Sequence, residues 1–261
     1  MEKIETTIKE KENQPAPPPP TACKRCGSSA EPKFITLLGW RQQDHCDLCG
    51  AIIAEEREKR EAEAHQKMTI KTYLERSGIV RGILAQMTLE NFNPQLAGKA
   101  YEIAKEYAEG FGRETTSGLM LYGKAGSGKT HLAVAITRHI IEQKLIQVRF
   151  ARIVDLLAEI RKTFDENEQY RTENEPDLIS RYTSAPLLVI DDLGAEKTTD
   201  WVRQILYQII DERWIEQKPI IVTSNLNLEE LEARFEERIA SRVAGMCRLV
   251  ESRDYDYRIK K

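Results

Sequence analysis

The sequence has no internal repeat, no purely apolar run longer than the strand-length Ala185 to Ile190, no apolar stretch behind Met1-Glu2-Lys3-Ile4-Glu5, and a net charge of only −3. Each absence removes a class. A membrane-spanning helix needs about 20 apolar residues, and an export signal needs an apolar core near the N-terminus, so a cytoplasmic chain without a membrane partner is expected. A near-neutral chain has no global field to attract nucleic acid, so any such contact must come from a local basic surface. What is present is a charged, globular composition, with 31% of 261 residues Asp, Glu, Lys or Arg. That length suits one core of ordinary size plus a small module.

Four stretches follow from composition. Residues 1–22 end in Pro15-Ala16-Pro17-Pro18-Pro19-Pro20, which can form neither a helix nor a central strand, so a disordered or polyproline tail is expected. Residues 23–50 carry two cysteine pairs. Residues 51–76 are rich in Ala, Glu, Lys and Arg, with Glu55/Lys59, Glu56/Arg60 and Glu63/Lys67 at helical spacing and almost no apolar stripe. This reads as a solvated linker helix, its balanced signs arguing against a nucleic-acid arm. Residues 77–261 alternate helical and strand periods, which predicts a parallel sheet flanked by helices.

Cys23-x-x-Cys26 and Cys46-x-x-Cys49 are nineteen residues apart, and each pair is followed by glycine, Gly27 or Gly50. The spacing fits a four-cysteine zinc ribbon. A disulfide framework is the competing account, and a reducing compartment disfavours it. With few apolar residues between the pairs, metal would supply most of the folding free energy of this piece. His45 adjoins Cys46 but a four-thiolate site needs no histidine. Phe34 and Trp40 between the pairs form a partner-binding face or simply pack over the ribbon strands.

Gly123-Lys124-Ala125-Gly126-Ser127-Gly128-Lys129-Thr130 follows the strand-like Leu119 to Tyr122 and precedes His131 and a helical run marked by Leu132, Ile136 and Ile140. The pattern G-x-x-x-x-G-K-T is a phosphate cradle. Backbone N–H groups point at a β-phosphate, Lys129 bridges β- and γ-phosphates, Thr130 offers its hydroxyl to Mg²⁺, and the helix N-terminus favours the anion. Such a loop needs an acidic partner. Leu187-Leu188-Val189-Ile190-Asp191-Asp192 supplies it, with Asp191 toward the metal and Asp192, or Glu196, toward the attacking water. Asn225 ends the strand Ile220 to Thr223, where it holds water or senses the γ-phosphate, or else caps a turn. Arg238 and Arg242 share one helix face. They reach a neighbouring subunit's nucleotide or pair with Glu236 or Glu237. Cys247 reads as a buried small hydrophobe.

GKAGSGKT, LLVIDDLG, VTSN and ERIASR, in this order and spacing, resemble the AAA+ ATPases of the DnaC/IstB group, the bacterial helicase loaders and transposition helper ATPases. The resemblance covers roughly residues 87–261. It implies an AAA+ P-loop core without a C-terminal helical lid, since little chain remains after the sensor region, and cofactors ATP and Mg²⁺ beside the Zn²⁺ of the cysteine pairs. It implies Walker A at Gly123 to Thr130, Walker B at Asp191 and Asp192, sensor 1 at Asn225, an arginine finger at Arg242 with Arg238 as competitor, and a sensor arginine at Arg258. The second acid is Asp192 where the usual AAA+ pattern has Glu, which suits slow, switch-like hydrolysis.

By the same resemblance, an N-terminal zinc module on a charged helix is similar to the layout of Gram-positive and phage helicase loaders. It implies a replicative DnaB-type helicase and single-stranded DNA as partners, and homo-oligomers on assembly. The family places an extra DNA-contacting helix within residues 152–182, where Arg152, Arg161, Lys162, Phe164 and Tyr170 combine charge and aromatic faces, although Asp165, Glu166 and Glu168 oppose phosphate. The alternative is an IstB-type transposase helper acting on duplex DNA. A small-molecule kinase is disfavoured by the paired arginines and the cysteine pairs.

Overall fold

The computed structural model describes residues 15–94, 98–112, 117–165 and 174–252. The chain divides into two compact units between Gln66 and Lys67.

In the first unit, β1 (Thr21–Ala22) pairs antiparallel with β2 (Ser29–Ala30), and β3 (Lys33–Ile35) with β4 (Gly39–Arg41). Gly27, at φ 76°, makes the tight return after the first cysteine pair, a conformation that costs glycine nothing. A cysteine pair followed by glycine suits a tight knuckle, and the second pair departs from one. Cys49 and Gly50 belong to a helix, α1 (Asp47–Ser77), because the Ala- and Glu-rich sequence behind them propagates helix back to Asp47. Glu56 does not pair with Arg60 as its spacing suggests. It takes Arg25 at 2.9 Å, and in α1 the i,i+4 ion pairs among the described residues are Arg57–Glu61 and, in the part that belongs to the second unit, Lys71–Glu75.

The second unit begins with the end of α1, whose Ile70, Tyr73 and Leu74 pack on the core. Then come α2 (Lys99–Gly110), β5 (Gly118–Tyr122), α3 (Lys129–Lys144), β6 (Val148–Arg152), α4 (Ile153–Asp165), α5 (Glu175–Ser184) and β7 (Leu187–Leu193). They are followed by α6 (Asp200–Ile215), β8 (Ile220–Ser224), α7 (Leu228–Phe235), α8 (Glu237–Met246) and β9 (Cys247–Glu251). The five strands form one parallel sheet in the order β6-β7-β8-β5-β9.

Strand alternation sends side chains to two buried faces. Leu119, Leu121, Leu187, Val189 and Ile221 meet α2 and α3 on one face. Met120, Leu188, Ile190, Ile220 and Val222 meet α4, α5, α6 and α8 on the other. Burial on both faces is why these strands read as continuous apolar runs. Buried Cys247 joins the second face, and burial pushes its thiol up to about 12.

Arg213 is fully buried in this core and makes no ion pair among the described residues. Its guanidinium donates to the carbonyls of Tyr182, Thr183, Ala185 and Pro219, tying the end of α5 to the starts of β7 and β8. Burial lowers its pKa to about 10. Parallel order then brings the ends of β5, β7 and β8 to one edge.

Candidate nucleotide site and cysteine centre

The turn after β5 is built on three left-handed glycines, Gly123 (φ 135°), Gly126 (φ 80°) and Gly128 (φ 88°). Two of them also permit close approach. A Cβ on Gly123 would lie 2.7 Å from the Ser252 carbonyl oxygen, and one on Gly128 would lie 2.8 Å from the Phe92 ring. Lys129 Nζ donates to the carbonyls of Gly123 and Lys124, at 2.7 Å each, so the ammonium lies across its own loop. Ser252, just past β9, donates to the Ser127 carbonyl at 2.9 Å and fixes the loop from the far side.

Thr130, at the start of α3, donates to Asp191 Oδ1 at 2.8 Å, and Thr223 on β8 donates to the same oxygen at 2.7 Å. Asp191 is buried, and this raises its carboxyl above the usual carboxylate range, against the lowering effect of the Thr223 and Thr130 hydroxyls. The Asp192 N–H donates to Thr223 Oγ1 at 2.8 Å. Asp192 itself stands at φ 60°, where non-glycine residues are strained, and its side chain accepts from Asn225 Nδ2 at 3.2 Å. Glu196 instead folds back on the Gly194 N–H at 3.1 Å, and burial raises its carboxyl.

His131 Nε2 is 2.9 Å from the Thr88 carbonyl and 3.0 Å from Asn91 Oδ1. Both are acceptors, so the proton is on Nε2. Its ring stands edge-on to Phe92, which stacks on Tyr101. The residues that sequence reasoning missed are thus Thr223, Ser252, Phe92 and the Thr88/Asn91 turn. Thr223 stood in view inside VTSN; Ser252 had no local signal at all.

Arg242 donates to Asp211 at 2.8 Å and lies 3.7 Å over the Trp214 ring. Of the two acids expected to pair with it, Glu236 pairs with Arg203 instead. Arg238 makes no ion pair among the described residues and lines a shallow hollow of about 220 Å³ with Arg203 and Tyr207. In the segment expected to meet DNA, Arg152 is paired with Asp155 and Arg161 lies 4.8 Å from the Trp201 ring, while Lys162 is exposed. Arg258, Tyr170, Glu166 and Glu168, and the side chains of Phe164 and Asp165, lie outside the described residues.

In the first unit the sulfur atoms of Cys23, Cys26, Cys46 and Cys49 all lie within 4.8 Å of one another, with Cys26 and Cys46 3.7 Å apart. Four thiolates around Zn²⁺ at about 2.3 Å would be about 3.8 Å apart, so the donor set fits that ion. Burial raises the Cys23 thiol, but backbone N–H groups of Cys46, Arg25 and Cys26 outweigh it and bring the pKa down to about 6. Hydrogen bonding with Cys26 and burial push Cys49 up to about 12. Four thiols this close cannot all ionise without a cation.

A five-stranded parallel sheet with a P-loop after β5 and an acidic pair at the tip of β7, the two strands separated by β8, defines an AAA+ type ATP-binding domain. The chain belongs to the IstB-like ATP binding protein family, whose profile matches residues 42–261. It is 29% identical to the replicative helicase loader DnaC of Escherichia coli strain K12 over 218 residues, 82% of each chain. It is also 29% identical to the uncharacterized protein YqaM of Bacillus subtilis strain 168 over 163 residues, and spans about half (49%) of that protein's length. Among solved structures, the crystal structure of the DnaC helicase loader superposes with a TM-score of 0.57 at 28% identity, over 64% of this chain and 97% of that one. The replication initiator DnaA bound to AMPPCP and single-stranded DNA gives 0.55 at 25% identity, over 64% and 50%.

Proposed function

We propose that this protein is an ATP-dependent helicase loader, which binds a replicative helicase and single-stranded DNA and uses ATP hydrolysis as a switch. The observation that carries the reading is the junction at Asp191, where one carboxylate oxygen takes hydroxyls from both Thr130 and Thr223. The start of α3, just after the P-loop, is thereby joined to β7 and β8, which supports a nucleotide site at that edge.

The roles follow from position. Lys129 leaves its loop carbonyls to neutralise the β- and γ-phosphates, and the backbone from Gly123 to Gly128 supplies N–H donors. Mg²⁺ held by Thr130 and Asp191 would offset phosphate charge. Asp192, oriented by Asn225 and by its own strained backbone, holds the attacking water, and Arg242 completes the site of a neighbouring subunit in a homo-oligomer. Zn²⁺ held by the four cysteines shapes the N-terminal module into a surface for the helicase.

The test is co-purification with a hexameric replicative helicase, in the presence of ATP and single-stranded DNA, against a transposase. Retention of the helicase with Lys129→Ala losing the nucleotide dependence supports a loader. Retention of the transposase on duplex DNA would instead make the protein an IstB-type helper.

A further inference from the structure

Residues 15–20 have neither helix nor strand geometry, yet they are held. The Trp40 indole N–H donates to the Pro15 carbonyl, Gln42 Nε2 donates to the Pro19 carbonyl at 3.0 Å, and Thr21 Oγ1 donates to the Gln43 carbonyl at 2.9 Å. The partners advance together, 15 with 40, 19 with 42 and 21 with 43. The arm therefore passes residues 40–43 in the same chain direction, six residues of arm to three of that segment.

The chemistry of the two sides is complementary. A proline has no N–H, and a polyproline II segment makes no internal hydrogen bonds, so its prolines offer only carbonyl acceptors and apolar rings. A surface that reads it must supply donors beside an aromatic face. Trp40 in β4 and Gln42 just past it both donate to the arm, and so present one face to it. Phe34, the cross-strand partner of Trp40, packs edge-on against it with centroids 5.3 Å apart. Indole is a donor without acceptor capacity, and the Gln42 amide brings its NH₂. Pro18 is partly buried where the arm crosses.

We propose that the Phe34/Trp40/Gln42 face of the cysteine module is a polyproline-binding face, and that its occupant in this chain is the segment Pro15–Pro20. Tethering sets the effective concentration of the arm in the millimolar range, so a face filled in cis must bind the same segment with a Kd below that. The face is covered until the arm leaves it, and when uncovered it takes a proline-rich segment presented in trans.

The experiment follows the Trp40 indole ¹H–¹⁵N resonance, assigned as the one lost in Trp40→Phe. Deleting residues 1–20 should move this resonance. A synthetic Pro-Ala-Pro-Pro-Pro-Pro peptide at millimolar concentration should return it toward its position in the full chain, where the peptide itself should bind at least tenfold more weakly. Gln42→Ala, which removes an exposed side chain, should weaken peptide binding several-fold in the truncated chain without moving the other indole resonances. A Trp40 resonance that is unchanged by truncation, a truncated chain that does not respond to the peptide, or equal binding of a Gly-Ser peptide would each overturn the proposal.

Discussion

Arg242 donates from Nε to Asp211 Oδ1 at 2.8 Å, with its guanidinium 3.7 Å over the Trp214 ring. Within one subunit the arginine is thus occupied, and acting on a neighbour's nucleotide requires it to leave Asp211. Arg242→Ala should spare ATP binding and lower assembly-dependent hydrolysis by at least about a hundredfold. Asp211→Asn should lower the protein concentration at which turnover sets in. Loss of turnover that followed Arg238→Ala alone, with Arg242→Ala active, would reassign the finger to Arg238.

Asp191 links site chemistry to stability. Because burial raises its folded-state pKa, its contribution to stability is complete below the unfolded carboxylate value of about 3.9 and is lost as pH rises through the folded value. Asp191→Asn keeps a neutral group that accepts from Thr130 and Thr223. Without nucleotide or Mg²⁺, the variant should therefore melt above the wild type at pH 7, and the difference should vanish toward pH 3.5. It should also lose the Mg²⁺ dependence of nucleotide binding. Thermal melts at the two pH values check the sign, and a variant less stable than wild type at pH 7 would contradict it.

Arg213 satisfies four backbone carbonyls in the core. Its removal leaves them without donors, at about 1–3 kcal/mol for each that stays unpaired. Arg213→Met should destabilise the second unit by at least about 3 kcal/mol, read from urea unfolding followed by tryptophan fluorescence. A loss under about 1 kcal/mol would mean that the carbonyls find other partners.

The two units make separable demands. Purified protein should carry one zinc ion per chain, and Cys26→Ser should reduce that severalfold and lower helix content near α1. Nucleotide affinity should be unchanged, because the P-loop contacts lie in the second unit. A fall in nucleotide affinity with zinc loss would contradict this separation.

The sequence made the sheet legible because both of its faces are buried. Runs such as Leu187 to Ile190 and Ile220 to Val222 are apolar on every residue, and the G-x-x-x-x-G-K-T turn commits the residues after it to a helix. Lys129, Thr130, Asp191, Asp192 and Asn225 were readable because each stands at the end of such a run or turn. The contacts that join them were not. Ser252 meets Ser127 across 125 positions, and the hold of Asp211 and Trp214 on Arg242 comes from a different helix. The start of α1 at Asp47 was missed because the CxxC-Gly pattern suggests a knuckle, and at the second pair helix propagation overrides it.

The most direct test is calorimetric titration of ATP into the purified protein, with and without Mg²⁺, beside Lys129→Ala. The account predicts one nucleotide per chain, tighter binding with Mg²⁺, and affinity at least tenfold weaker in the variant. Absence of binding to the wild type, or equal binding by Lys129→Ala, would contradict it.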